Sequence, residues 1–343
     1  MLYEKKFRST SLKIGIALLL QFGLSNIFST AIQPLLASLF YAVLSEQTAY
    51  YLSEVTYGFL YLIAFGLPAL ILRGITENKK DEKVSHKKLP FTSKLMLLFA
   101  TIAVVFCFSQ INALLVSHFP FYDYMQSTAI PSNPLDANGI SLLIFTLVIV
   151  PALCEEFLFR ATILRLLLPY SKSFAVIASA VCFGLMHRNP IQILYATAAG
   201  IALGIVYIKT GSYVWAFLTH LVNNLISATQ TVLFANLNEA LATRIFVVIE
   251  AGILLVGVIS ILILALREKA ESNEIPPCET ENEDTSSDIV DREVIFKNSM
   301  SLDEPPTSIP LQRRFFASPT VIIYLILCSI ECILFLAFPG MSV

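Results

Sequence analysis

"PALCEEFLFR", residues 151–160, lies inside an apolar stretch that runs from Gly139 to Leu168. That stretch suits a helix crossing a bilayer, which needs about 20 apolar residues. Two adjacent carboxylates, Glu155 and Glu156, interrupt it, and Arg160 follows. An ionisable group at the centre of a span costs roughly 2.5–3.5 kcal/mol even on lenient scales, so it marks a functional site by default. Spacing separates the two acids. Glu156 and Arg160 are four residues apart, acid first, on one helix face, where they can neutralise each other. A buried ion pair of this kind can also tie helices together. Glu155 points about 100° away and has no counter-ion within the stretch. The expectation is a structural, orienting Glu156–Arg160 pair and a Glu155 left free for chemistry.

The rest of the chain reads as membrane protein. Of its 343 residues 56% are hydrophobic and 14% charged, against about 25% charged in soluble domains. The fold class expected is all-α, a polytopic transmembrane helix bundle of about 8–9 spans. Candidate spans cover 14–44, 52–72, 95–116, 139–168, 174–187, 191–208, 213–226, 245–266 and 320–338. The first reads as a retained helix and not as a cleaved signal, because no small-residue cleavage site follows. Pro34 should kink it. The fifth and seventh are short, and they can span only if their ends are buried in protein. Lys5, Lys6, Arg8 and Lys13 precede the first span, and seven Lys or Arg fall in residues 73–94. Residues 45–50 and 117–138 have none. By the positive-inside rule the N-terminus is cytoplasmic in an integral cell-membrane protein. The "EEFLFR" end of the fourth span then lies toward the cytoplasm.

The expected organisation is N-terminal membrane helices over 1–138, a catalytic core over 139–226 and a further membrane helix over 227–266. An acidic flexible linker over 267–319 and a C-terminal membrane helix over 320–343 complete it. The linker contains "ESNEIPPCETENEDTSSD", too polar to fold alone. Five of six cysteines fall in apolar segments with no CxxC pair, so neither a disulfide framework nor a thiolate metal site is expected. The net charge of −2 says little about partners, because charge is concentrated in the loops, and nucleic acid is not an expected partner.

Other polar residues interrupt the spans. "FGLMH" places Phe183 four residues before His187, so the ring can pack behind the site while the imidazole faces it. "HLVNN" places His220 and Asn224 four apart, so imidazole and amide project together. Taken singly, such a His is a helix-end residue at an interface, and such an amide pair is interhelical glue. Taken together, a carboxylate and two imidazoles can activate water. They can do so by holding zinc, with Glu155, His187 and His220 as candidate ligands, or with the carboxylate as general base. An Asn amide and a His N–H can donate to an oxyanion. Those are the parts of an amide hydrolase. Glu250 and Glu331 also lie in spans, but no partner is near them in sequence and they carry no assigned role.

The ordered set "EEFLFR", "FGLMH" and "HLVNN" resembles the CPBP intramembrane proteases, which include CAAX prenyl proteases and bacteriocin-processing and immunity proteins. The family motifs EExxxR, FxxxH and HxxxN are matched in order over roughly a quarter of the chain. The resemblance implies a membrane-embedded endopeptidase in the lipid bilayer, acting on a peptide or lipidated protein. Glu155 would activate water, His187 would help position it, and His220 and Asn224 would hold the oxyanion. Glu156, Arg160 and Phe183 would orient the site. The motifs leave open whether a zinc ion takes part, and no HExxH signature is present. Two other classes compete: a non-catalytic immunity or accessory protein on the same fold, and a proton-coupled transporter. The transporter reading would call for inverted repeats and broken helices in both halves, and no internal repeat is visible. A serine mechanism through Ser212 fails on geometry, since His220 lies about 80° round and roughly 12 Å along the same helix.

Overall fold

The computed structural model describes residues 2–76, 89–118, 135–273 and 311–337, and among these every regular element is helical. In chain order they are α1 (Leu2–Ile27), π1 (Phe28–Ile32), α2 (Gln33–Val43), α3 (Glu46–Gly74), α4 (Phe91–Val116), α5 (Ala137–Leu143), π2 (Ile144–Ile149) and α6 (Val150–Leu158). There follow π3 (Phe159–Leu164), α7 (Arg165–Leu167), α8 (Lys172–Met186), α9 (Pro190–Thr210), α10 (Tyr213–Asn236), α11 (Glu239–Asn273), α12 (Leu311–Phe316) and α13 (Pro319–Ala337).

All nine apolar stretches are helical, and the chain is an integral membrane protein with an all-α, polytopic bundle. Six helices among the described residues are long and apolar enough to cross a bilayer. The other three fall short for separate reasons. Lys172–Met186 has only 15 residues, about 22 Å of helix against a hydrocarbon core of about 30 Å. It is buried along most of its length, from Phe174 to Met186, so protein covers its ends. Pro319–Phe335 is also short. Tyr213–Asn236 has 24 residues, longer than the sequence suggested. The apolar pattern fades after Ile226, but the helix continues for nearly three more turns.

Two prolines explain two of the three π segments. Pro34 has no N–H to give to the carbonyl four residues back, and its ring crowds that carbonyl. The wider π turn Phe28–Ile32 takes up the mismatch just before it. Pro151 sits at the start of α6, directly after π2. The expected break at Pro34 is thus a π bulge within a continuous helix of 41 residues.

α6 and π3 form the centre, enclosed by α3, α8 and α10. Along α6, Val150, Ala152, Cys154, Glu155, Glu156 and Leu158 are all buried. α8 and α9 meet along a tight seam. A Cβ at Gly184 would lie 2.8 Å from the Ile193 carbonyl oxygen, and one at Gly200 3.0 Å from Ala180 Cα. Small residues let these two backbones meet, as in other membrane helix pairs. α1 packs on α3 and α13, and α11 lies outermost against α4.

The segment expected as a linker is helical at both ends: α11 runs to Asn273, and Leu311–Phe316 forms α12. Leu311 and Phe315, one turn apart, are buried in the core, which anchors that end. Residues 274–310, and the loops 77–88 and 119–134 used for the orientation, lie outside the described residues.

Candidate active site

The site is built on α6. Glu156 and Arg160 are fully buried, and Arg160 Nη1 lies 2.8 Å from Glu156 Oε1. The pairing read from the spacing is therefore present, although π3 begins between the two residues. Arg160 has two further anchors. Its Nη2 donates to the Gly200 carbonyl oxygen at 3.1 Å, and its guanidinium lies 4.4 Å from the centre of the Phe183 ring. One buried cation thus joins α6, α8 and α9.

Glu156 is not reserved for Arg160. His220 Nδ1, from α10, lies 2.9 Å from the same Oε1. A carboxylate paired with Arg160 only accepts, so Nδ1 carries the hydrogen. That leaves His220 Nε2 directed at Glu155 Oε2, 3.9 Å away.

Glu155 is 3% exposed and inside the bundle, not on the lipid face. Its Oε1 accepts a 2.5 Å hydrogen bond from the Tyr61 hydroxyl of α3. Its Oε2 is buried with no hydrogen-bond partner. An ionised carboxylate oxygen left without a donor is costly, and this one faces an imidazole.

His187 caps the C-terminus of α8, with Nδ1 3.0 Å from the Phe183 carbonyl oxygen. A carbonyl accepts, so Nδ1 again carries the hydrogen and Nε2 is free to accept. The Phe183 ring stands edge-on to both imidazoles, 5.1 Å from His187 and 5.9 Å from His220. The same ring carries the Arg160 guanidinium.

Asn224 follows His220 by one turn. With His187, His220, Phe183 and Tyr195 it lines a cavity of about 60 Å³. Its Oδ1 accepts from Asn223 Nδ2 at 3.4 Å, and Asn223 is itself paired with the Tyr195 hydroxyl at 3.0–3.1 Å. These bonds turn the Asn224 amide so that its own NH2 remains as the donor. A larger cavity of about 260 Å³ meets the other side of His187, lined by Gln21, Ser25, Tyr57, Tyr61 and Arg188 among others. A water molecule takes about 30 Å³ of liquid, so the larger space admits a peptide side chain.

Every residue singled out from sequence for the site therefore falls in one cluster. Tyr61 and Tyr195 were missed, and Asn223, conspicuous as a polar residue in its span, had no assigned role. Tyr57 and Tyr61, one turn apart within an apolar span, were the available signal, but a tyrosine carries no charge and draws no notice at that depth. Among the exceptions without a role, Glu250 accepts a long 3.5 Å bond from Gln110, and Glu331 pairs with Arg188 at 3.1 Å.

Glu155, His187 and His220 were the candidate zinc ligands. Among the described residues no group of three His, Cys, Asp or Glu is arranged to hold a metal ion. His220 Nδ1 is held by Glu156 and its Nε2 faces Glu155, an orientation that suits either a metal-binding imidazole or a hydrogen-bond donor to substrate.

Fold and site together define a helical integral membrane protein with a buried carboxylate–imidazole centre. Residues 137–226 match the family model described as type II CAAX prenyl endopeptidase Rce1-like, and this similarity supports a membrane-embedded protease. The match begins at α5 and ends within α10. Comparison with curated proteins gives no match, and comparison with solved structures gives none either.

Proposed function

We propose that the protein is an intramembrane endopeptidase in which Glu155 activates water against a peptide bond. The observation that carries this reading is the buried Glu155 Oε2. It lacks a hydrogen-bond donor and lies 3.9 Å from His220 Nε2, inside the Rce1-like segment.

The chemistry follows from the chain's own groups. Glu155 Oε2 takes a proton from water as the water oxygen bonds to the scissile carbonyl carbon. His187 Nε2 accepts the water's second hydrogen and fixes its direction. The carbonyl pair moves onto oxygen, where Asn224 Nδ2 and the imidazolium form of His220, through Nε2–H, donate to it. Glu156, which accepts from Nδ1–H, supports that form. Glu155 then returns the proton to the departing nitrogen as the carbon–nitrogen bond breaks.

The substrate is a peptide or lipidated protein presented from the bilayer, with a prenylated CAAX peptide as the first candidate. The site opens toward the cytoplasm, with the N-terminus on the same side. The test uses full-length protein in proteoliposomes with matched prenylated and unprenylated CAAX peptides. Cleavage products identified by mass spectrometry, lost in Glu155→Gln, support the reading. Equal product with wild type, Glu155→Gln and empty liposomes contradicts it.

A further inference from the structure

Arg188 directly follows His187 and has a backbone φ of 54°, the only positive value at a non-glycine among the described residues. A side chain in that left-handed region costs about 1–2 kcal/mol and persists where surrounding contacts over-determine it. The contacts are visible. Arg188 N donates to the Leu185 carbonyl oxygen at 3.0 Å, and Asn189 caps α9 through Ile191 N at 3.0 Å. The Arg188 side chain reaches back across the bundle. Its Nη1 lies 3.1 Å from Glu331 Oε2 on α13, and its guanidinium is 5.7 Å from the Phe22 ring on α1.

α13 is outside the Rce1-like segment, yet it is seated on the helix that carries His187. The buried Tyr324 hydroxyl donates to the Cys182 carbonyl oxygen at 3.1 Å. Thr320 Oγ1 donates to the Leu12 carbonyl oxygen at 3.0 Å. Glu331 follows Tyr324 by seven residues, two turns along the same face, so both reach the end of α8. Arg188 and His187 line the larger cavity side by side. A shift of α13 therefore moves the turn that sets the His187 ring and one wall of that cavity.

We propose that Glu331 and Arg188 form a clamp through which the C-terminal helix holds His187 in its working position. Both are positioning residues; neither touches the reacting atoms. The proposal rests on the protease reading for its effect on rate, and on geometry alone for its effect on the turn.

The test compares full-length wild type, Glu331→Gln, Arg188→Gly and the double swap Arg188→Glu/Glu331→Arg in proteoliposomes. Three quantities are read: cleavage kinetics, Tm, and amide hydrogen exchange across residues 183–191. Arg188→Gly is informative because glycine removes the backbone strain while it deletes the ion pair. The expected result is a roughly tenfold fall in kcat with KM within about twofold for both single variants. Exchange in the turn is faster in both, Tm does not fall in Arg188→Gly, and the swap recovers part of the rate. Unchanged exchange in Glu331→Gln and Arg188→Gly overturns the clamp. So does a kcat loss that only follows Tm. If wild type itself cleaves nothing, the protease reading fails, while the exchange measurement still decides the clamp.

Discussion

His220 Nδ1 and Arg160 Nη1 meet at a single oxygen, Glu156 Oε1, at 2.9 and 2.8 Å. The second glutamate of the motif is therefore the hinge between the structural pair and the imidazole that faces Glu155. Glu156→Gln leaves Arg160 charged and buried without its ionised partner, a loss of about 3–5 kcal/mol. A large fall in Tm, with loss of activity, is expected. Glu155→Gln should leave Tm close to wild type, because Glu155 has no ion-pair partner of that kind. Thermal unfolding in detergent separates the two. Equal Tm for both variants contradicts this division.

Tyr61 holds Glu155 Oε1 from a helix outside the Rce1-like segment. Tyr61→Phe removes a hydrogen bond to a charged group, worth about 1.5–3 kcal/mol, without changing shape. The expected outcome is a folded protein with kcat lowered at least about tenfold. In a Glu155→Gln background the same change should add almost nothing. Additive effects on rate in the double variant contradict a shared role.

Gly184, in the α8–α9 seam, and Gly66, on α3, should respond oppositely to an added side chain. At Gly184 a side chain meets the Ile193 carbonyl oxygen, so Gly184→Val should destabilise by about 1–3 kcal/mol or more. At Gly66 nothing lies within 4 Å, and Gly66→Ala should be neutral or stabilising by about 0.5–1 kcal/mol. Paired Tm measurements check both. Tolerance of valine at 184 would show that the helices can separate.

With Glu155 as the general base, the proposed mechanism predicts chemistry without a bound zinc. Purified active protein should carry far less than one equivalent of zinc by elemental analysis, and chelation should leave its rate unchanged. One equivalent of zinc, with activity lost on removal and regained on return, contradicts the glutamate mechanism and returns Glu155, His187 and His220 to the role of ligands.

Much of this was legible in the sequence. A bilayer demands long apolar runs, so the helices declare themselves, and a charged residue inside one is conspicuous. Glu155, Glu156, Arg160, His187, His220 and Asn224 stood out for that reason, and i,i+4 spacing gave the Glu156–Arg160 pair. Relations across distant helices were not legible. Tyr61 is 94 residues from Glu155, and only packing brings a neutral hydroxyl there. Glu331 had no partner near it in sequence because its partner, Arg188, lies far away in the turn between α8 and α9. The length of α10 was underestimated because Asn223, Asn224, Thr229, Gln230 and Thr231 dilute its apolar signal. The π bulges were half visible: Pro34 and Pro151 announce a disturbance, but not its form.

The central claim is that Glu155 Oε2 removes the proton from the attacking water. Its most direct test is the single-turnover cleavage rate of a membrane-presented peptide by wild type and Glu155→Gln, with equal Tm established for both. A general base contributes roughly 100- to 10,000-fold, so a loss in that range, with substrate still bound, is predicted. A folded Glu155→Gln variant that cleaves within about threefold of wild type would contradict the account.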